Sequence, residues 1–193
     1  MSRLFTPIRI REIEFKNRIF VSPMCQYSAK DGMPNDWHFV HLGSRAVGGA
    51  ALVLTEATAV SPQGRISPAD LGIWNEEQVK AFKRITSFVQ AQGAIPGIQL
   101  AHAGRKASTK IPWEGEGWVP ENGGGWQTIA PSAIPTAPVS TPYDERIRTD
   151  AAGRPAKMAA KLAFAAKPTP NTLQRCRLIR APMQGPRRAA QDR

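Results

Sequence analysis

Ala50-Ala51-Leu52-Val53-Leu54-Thr55 is an unbroken apolar run of strand length. A strand with one wet face alternates apolar and polar residues. A run without alternation belongs to a strand covered on both faces, as in a parallel sheet flanked by helices. Upstream, Asp36 reads as the N-cap of a helix from Trp37 to about Val47, closed by Gly48-Gly49. Further back, Arg18-Ile19-Phe20-Val21 is a short strand ending at Ser22-Pro23, and Ile8-Arg9-Ile10 with Ile13-Glu14-Phe15 alternates as a small hairpin. Downstream, Asn75 caps a second helix whose first turn holds Glu76 and Glu77, suited to the positive end of the helix dipole. Val79, Phe82, Ile85, Phe88 and Val89 recur at helical spacing, Gly93 ends the helix, and Ile95 to Leu100 is the third strand of the main sheet. The order β-α-β-α-β specifies an α/β fold with parallel strands and right-handed crossovers.

The 193 residues are 41% hydrophobic and 21% charged, the balance of a globular chain. The longest apolar stretch, Ala46 to Leu54, is broken by Gly48 and Gly49 and is too short to cross a bilayer, so no membrane is expected. Met1 to Arg11 holds no signal-peptide apolar region, which makes the cytoplasm the expected compartment. Cys25 and Cys176 stand in unrelated contexts and make no disulfide framework.

The net charge of +11 is unevenly placed. Residues 1–150 carry 16 Lys and Arg against 14 Asp and Glu, a net of +2; residues 151–193 carry 10 against one, a net of +9. Two segments follow: 1–150 as the folded part, and 151–193 as a basic tail rich in Ala, Arg and Pro. Ala156 to Ala166 could form a helix, stopped by Pro168 and Pro170, but no strand-like run is visible and the tail reads as disordered or poorly ordered. Out-of-frame translation of GC-rich coding sequence produces this composition. A tail of +9 would give salt-dependent affinity for phosphate, but with Phe164 as its one aromatic residue it lacks the means for specific nucleic-acid recognition.

Three clusters of polar residues sit at the carboxyl ends of the three strands, where a (β/α) barrel builds its site. They are Ser22-Pro23-Met24-Cys25-Gln26-Tyr27, Thr55-Glu56-Ala57-Thr58 and Gln99-Leu100-Ala101-His102-Ala103-Gly104-Arg105-Lys106. From His102 to about Tyr143 runs a long connection with Gly123-Gly124-Gly125 and three Trp; a loop of that length usually carries function. The triple glycine is followed by no Lys-Ser/Thr pair and makes no phosphate loop. His38 and His41 lie three apart on a helix with no Cys or carboxylate at ligand spacing, so they read as packing or capping residues and no metal is expected.

Taken together, these three motifs resemble the Old Yellow Enzyme family, from about Leu4 to about Asp150, and Cys25 with Tyr27 is similar to its bacterial NADPH dehydrogenase, or ene-reductase, subclass. The resemblance implies the N-terminal portion of a TIM (β/α)8 barrel that binds FMN, takes hydride from NADPH and reduces the C=C bond of an activated alkene. It also implies that the main chain of Ser22, Pro23, Met24 and Cys25 lies against the flavin ring. Cys25 would tune the flavin, Tyr27 would donate to substrate, Ala57 would stay small beneath a flat ring, and Gln99 would pair with the pyrimidine edge. Read without the resemblance, Cys25 is a small buried hydrophobe, Tyr27 a loop anchor, Ala57 tight strand packing and Gln99 a loop-capping amide.

The family pattern continues with a His pair on a fourth strand, a flavin-facing Arg and phosphate-binding loops. No His follows His102 here, and three of the eight barrel strands are recognisable. The expectation is therefore an incomplete barrel, its sheet open along one edge and on one apolar face, with catalysis impaired. The alternative is a truncated or frame-shifted product without catalysis. An intact relative could be oligomeric.

Overall fold

The computed structural model describes residues 2–130 and the backbone of Lys161–Phe164. A hairpin of β1 (Ile8–Ile10) and β2 (Ile13–Phe15) comes first, paired antiparallel with Ile8 opposite Phe15. The main sheet then builds from β3 (Phe20–Val21), β4 (Leu52–Ala59) and β6 (Ile95–Ala101), parallel and in that spatial order, with α1 (Asp36–Val47) and α2 (Glu76–Ala91) as the crossovers. A two-residue strand β5 (Leu71–Gly72) pairs with the end of β4.

Both helices start where short polar side chains can satisfy free amides. Asn75 accepts from the Gln78 amide at 2.8 Å, while the Gln78 side chain accepts from the Trp74 and Asn75 amides. The first helix corrects the sequence reading by one residue: Asn35, not Asp36, is the N-cap, and Asp36 lies in the first turn. Asn35 Oδ1 accepts from the Trp37 amide at 3.0 Å, and its extended backbone suits a cap. At the other ends Gly49 and Gly93 adopt φ of 95° and 68°, where a side chain would be strained.

Val53 faces the helices and packs with Leu42, Ala46, Ile85 and Val89. Leu52 and Leu54 belong to a second cluster with Phe15 and Ala51, closed by Ile8 and Ile13 of the hairpin. The apolar face expected to be open is therefore covered in part by the chain's own N-terminus. β4 also runs to Ala59, four residues past the apolar run, because its polar end stays paired with β6 and β5.

The edge of β6 departs from expectation as well. β7 (Lys161–Phe164) pairs with it antiparallel, Leu162 opposite Gln99, so these residues form a strand within the segment read as helix or unstructured. A row of unpaired amides and carbonyls on an apolar strand is a strong template for any extended segment. The remaining expectations for residues 131–193, disorder included, lie outside the described residues.

The long connection is ordered through Ala130 rather than structureless. Thr109 donates amide and hydroxyl to the Ile66 carbonyl at 2.8 and 3.0 Å, and Trp126 Nε1 donates to the Gln63 carbonyl at 3.0 Å. Arg65 lies between the rings of Trp74 and Trp126, 5.5 and 4.7 Å from their centroids. His102 packs so closely on Gly64 that a Cβ there would meet its Cδ2 at 2.9 Å. Among the described residues no helix is long and apolar enough to cross a membrane.

Candidate functional site

Register brings the expected residues to one mouth. Ala57 on β4 is the Cα partner of Gln99 on β6, and directly opposed residues on neighbouring strands share a face of the sheet. The segment after β3 arrives beside them: the Cys25 thiol hydrogen-bonds the main chain at Ala57 and the hydroxyl of Tyr27. Ser22 and Met24 are exposed, Pro23, Cys25 and Tyr27 half-buried. Cys25, Tyr27, Ala57 and Gln99 thus converge, with Ser22, Pro23 and Met24 as the rim leading to them.

Tyr27 sits at φ 48°, a conformation uncommon for a bulky side chain, and such strain persists only where the surroundings enforce it. Several bonds do so. Gln26 Nε2 donates to the Met24 carbonyl at 2.8 Å, Ser28 Oγ donates to the Gln26 carbonyl at 2.8 Å, and the Ala29 amide donates to the Ala69 carbonyl at 3.0 Å. The Tyr27 ring meets Trp113 from the long connection edge to face, centroids 5.6 Å apart.

The electrostatics keep the thiol neutral. Burial, reinforced by the negative charges of Asp70 and Glu56, pushes the Cys25 pKa up to about 11. Burial also raises the Tyr27 pKa, so at neutral pH both groups hold their protons and can donate. Asp70 is itself buried and raised by desolvation, while accepting from Ser67 Oγ at 2.8 Å and from the Ile66 amide at 2.7 Å.

Gln99 differs from its neighbours. Its amide offers one acceptor and two donors, is half-buried, and has no hydrogen-bond partner among the described residues. A loop-capping amide would bond the loop it caps, and none of the described loop residues bonds it. Beside it Ala57 presents only a methyl group. An open amide edge next to a small residue fits a flat heteroaromatic ring, so the residues present fit one wall of a flavin site.

Three other residues carry the arrangement: His38, read from sequence as a packing or capping residue and found in the α1 cap, and Glu56 and Trp113, which were given no role. Glu56 is 3% exposed and His38 1% exposed, with His38 Nε2 and Glu56 Oε1 3.1 Å apart. Trp113 reaches Tyr27 from 86 residues along the chain, too far for local pattern to indicate. The signal for Glu56 was present: a carboxylate inside an apolar strand must find partners when buried. His102 accepts at Nδ1 from the Gly104 amide at 3.1 Å, and burial lowers its pKa. Among the described residues, no three His, Cys, Asp or Glu side chains could share a metal ion.

Comparison with known proteins adds a family. The profile of the NADH:flavin oxidoreductase / NADH oxidase family matches residues 3–128. The chain is 55% identical over 148 residues to an NADPH dehydrogenase of Listeria welshimeri, covering 76% of this chain and 37% of that protein. It is 50% identical over 136 residues to an NADH:flavin oxidoreductase of Gibberella zeae, covering 69% and 33%. Among solved structures it is similar to Old Yellow Enzyme from Pichia sp., with a TM-score of 0.62 at 28% identity over 76% of this chain and 37% of that one. The chain spans about a third of the length of the curated relatives it matches.

Proposed function

This chain belongs to the NADH:flavin oxidoreductase / NADH oxidase family, and from that premise we propose that residues 2–130 form the flavin- and substrate-facing wall of an FMN-dependent reductase. In this reading the reductant is NADPH and the substrate a small activated alkene, an enal or enone. The compartment holding both is the cytoplasm, and neither specific nucleic acid nor membrane enters the reaction. One observation supports the reading: Gln99, whose amide has no partner among the described residues, is in register with Ala57, whose main chain the Cys25 thiol bonds.

When bound, FMN would supply hydride chemistry that no amino-acid side chain provides. The chain's own residues bind and orient. Gln99 would offer its amide to the polar edge of the ring, Ala57 would leave room for it, and the main chain of Ser22, Pro23, Met24 and Cys25 would border it. Cys25, kept as a neutral thiol, would place a polarisable donor rather than an anion beside the ring and so influence its electron affinity. Tyr27 holds its proton at neutral pH and donates a hydrogen bond to the substrate's polar oxygen.

Titration of FMN with the 193-residue chain tests the reading. Flavin fluorescence should fall on weak, reversible binding that does not survive gel filtration, and Gln99→Leu should weaken binding about tenfold, the loss of one to two net hydrogen bonds. FMN fluorescence unaffected by millimolar folded chain, or equal binding by Gln99→Leu, would overturn it.

A further inference from the structure

Glu56 is the extra residue of a β-bulge. Thr55 pairs with Ile98 and Ala57 with Gln99, which leaves Glu56 without a partner in the ladder between them. Two hydroxyls secure the irregularity: Thr58 Oγ1 donates to the Glu56 carbonyl at 2.8 Å and Thr55 Oγ1 at 3.4 Å. The buried carboxylate then has two neighbours. Oε2 accepts from the backbone amide of Gln26, and Oε1 faces Nε2 of His38. His38 Nδ1 lies 3.1 Å from the Asn35 amide, which donates to it as part of the α1 cap. His38 Nδ1 also stands 2.9 Å from Asn35 Oδ1, so the α1 cap holds this edge of the ring whichever nitrogen carries the proton. His38 Nε2 and Glu56 Oε1 are buried 3.1 Å apart, and neither has a hydrogen-bond partner among the described residues.

A chain of contacts therefore runs from the α1 N-terminus through the core to the amide between Cys25 and Tyr27. We propose that Glu56, held by His38, is a positioning residue that fixes the Met24–Tyr27 segment and thereby sets where the Cys25 thiol and the strained Tyr27 stand. Oε2 of Glu56 accepts from the Gln26 amide, so the position calls for a strong, charged acceptor at that atom. A glutamine offers that amide only a neutral acceptor, a weaker hydrogen bond. The bulge gives this carboxylate a direction that a regular ladder would not. The proposal deepens the flavin reading, since it concerns the same wall, but it needs no flavin for its test.

The decisive measurement is hydrogen exchange at the Gln26 amide in the 193-residue chain. Glu56→Ala should speed it by tenfold or more. Leu42→Ala opens a cavity in the neighbouring core, at a residue 5% exposed, and should leave it within about twofold. Glu56→Gln keeps the volume, so it guards against an unfolded alanine variant, and should exchange faster than the parent by a smaller factor. A second readout is the pH midpoint of Cys25 alkylation in a Cys176→Ser background. The groups facing this thiol are Tyr27, Asp70 and Glu56, and the Glu56 charge raises its pKa. The midpoint should fall below about 11 in Glu56→Gln and stay in Leu42→Ala. Unchanged Gln26 exchange in Glu56→Gln, or equal acceleration by Leu42→Ala, would sink the proposal. Failure of FMN to bind would leave it standing, because neither readout involves the cofactor.

Discussion

Leu52, Val53 and Leu54 of β4 are enclosed by hydrocarbon from Phe15, Leu42, Ile85 and Val89, whereas Thr55, Glu56 and Thr58 of the same strand are as deeply buried yet polar. The two halves differ in what burial demands. The lower half needs only shape and volume, since apolar burial is non-directional. The upper half must place each polar atom against a specific partner, and the bulge at Glu56, the Thr58 hydroxyl and the His38 contact are those partners. Scaffold and site are thus one strand, divided where apolar packing gives way to hydrogen bonds.

If that division is real, the largest loss should come from the lower half. Leu52→Ala removes most of a side chain 3% exposed against Phe15 and Leu54. It should cost about 3 kcal/mol, the usual scale for a core leucine, and lower the urea midpoint accordingly. A loss under ~1 kcal/mol would show that the hairpin does not close this face of the sheet. In the upper half, Thr58→Val keeps the shape and deletes the 2.8 Å bond to the Glu56 carbonyl. The expected cost is about 1–2 kcal/mol, with the Thr55 hydroxyl keeping its longer contact. A neutral result would show that the Thr58 hydroxyl does not hold the bulge.

Much of the lower half was legible in the residue order. The apolar run at Ala50, the Asn75 cap and the Phe82–Val89 spacing each state a local rule, and hairpin, helices and parallel strands follow from them. Of the site, strand order alone indicated that the segments around Cys25, Glu56 and Gln99 share one end of the sheet; Cys25, Tyr27, Ala57 and Gln99 were singled out by the family resemblance. Three things were hidden. The bulge depends on register, which no single strand encodes. The Trp113 contact depends on a turn of the long connection. The β7 pairing depends on an exposed edge in β6 rather than on a pattern in residues 161–164 themselves. Asp36 was read as a cap because it precedes an apolar turn; Asn35 took the role because its backbone, not its charge, fits the cap.

The pH response of Cys25 sharpens the comparison by asking how dry the upper half is. An acid whose folded pKa lies above its unfolded value binds its proton more tightly when folded. Stability from this group is therefore present at neutral pH and is lost as pH rises from about 9 through about 11. In a Cys176→Ser chain, alkylation of Cys25 at pH 9 should run roughly a hundredfold below its limiting rate, because only the thiolate reacts. A midpoint near 8.5, the value of a free thiol, would mean that water reaches this part of the mouth.

The smallest effect on stability should come from Gln99, and that makes it the sharpest test of the division. Most polar residues near the top of β4 and β6 earn their place by bonding to the fold: the Thr58 hydroxyl to the bulge, the Glu56 carboxylate to Gln26. Gln99→Leu, similar in volume, removes no hydrogen bond to any described residue. Unfolding should change by less than about 0.5 kcal/mol, the range of substitutions that touch no special feature. A structural amide would behave otherwise, since deleting it strands a buried partner at a cost of about 1–3 kcal/mol. The same variant read by FMN fluorescence should lose about tenfold in affinity, so its two readouts move apart. If they moved together, with stability falling as binding fell, Gln99 would be part of the scaffold, and the boundary between packing and site would lie farther along the strand than Thr55.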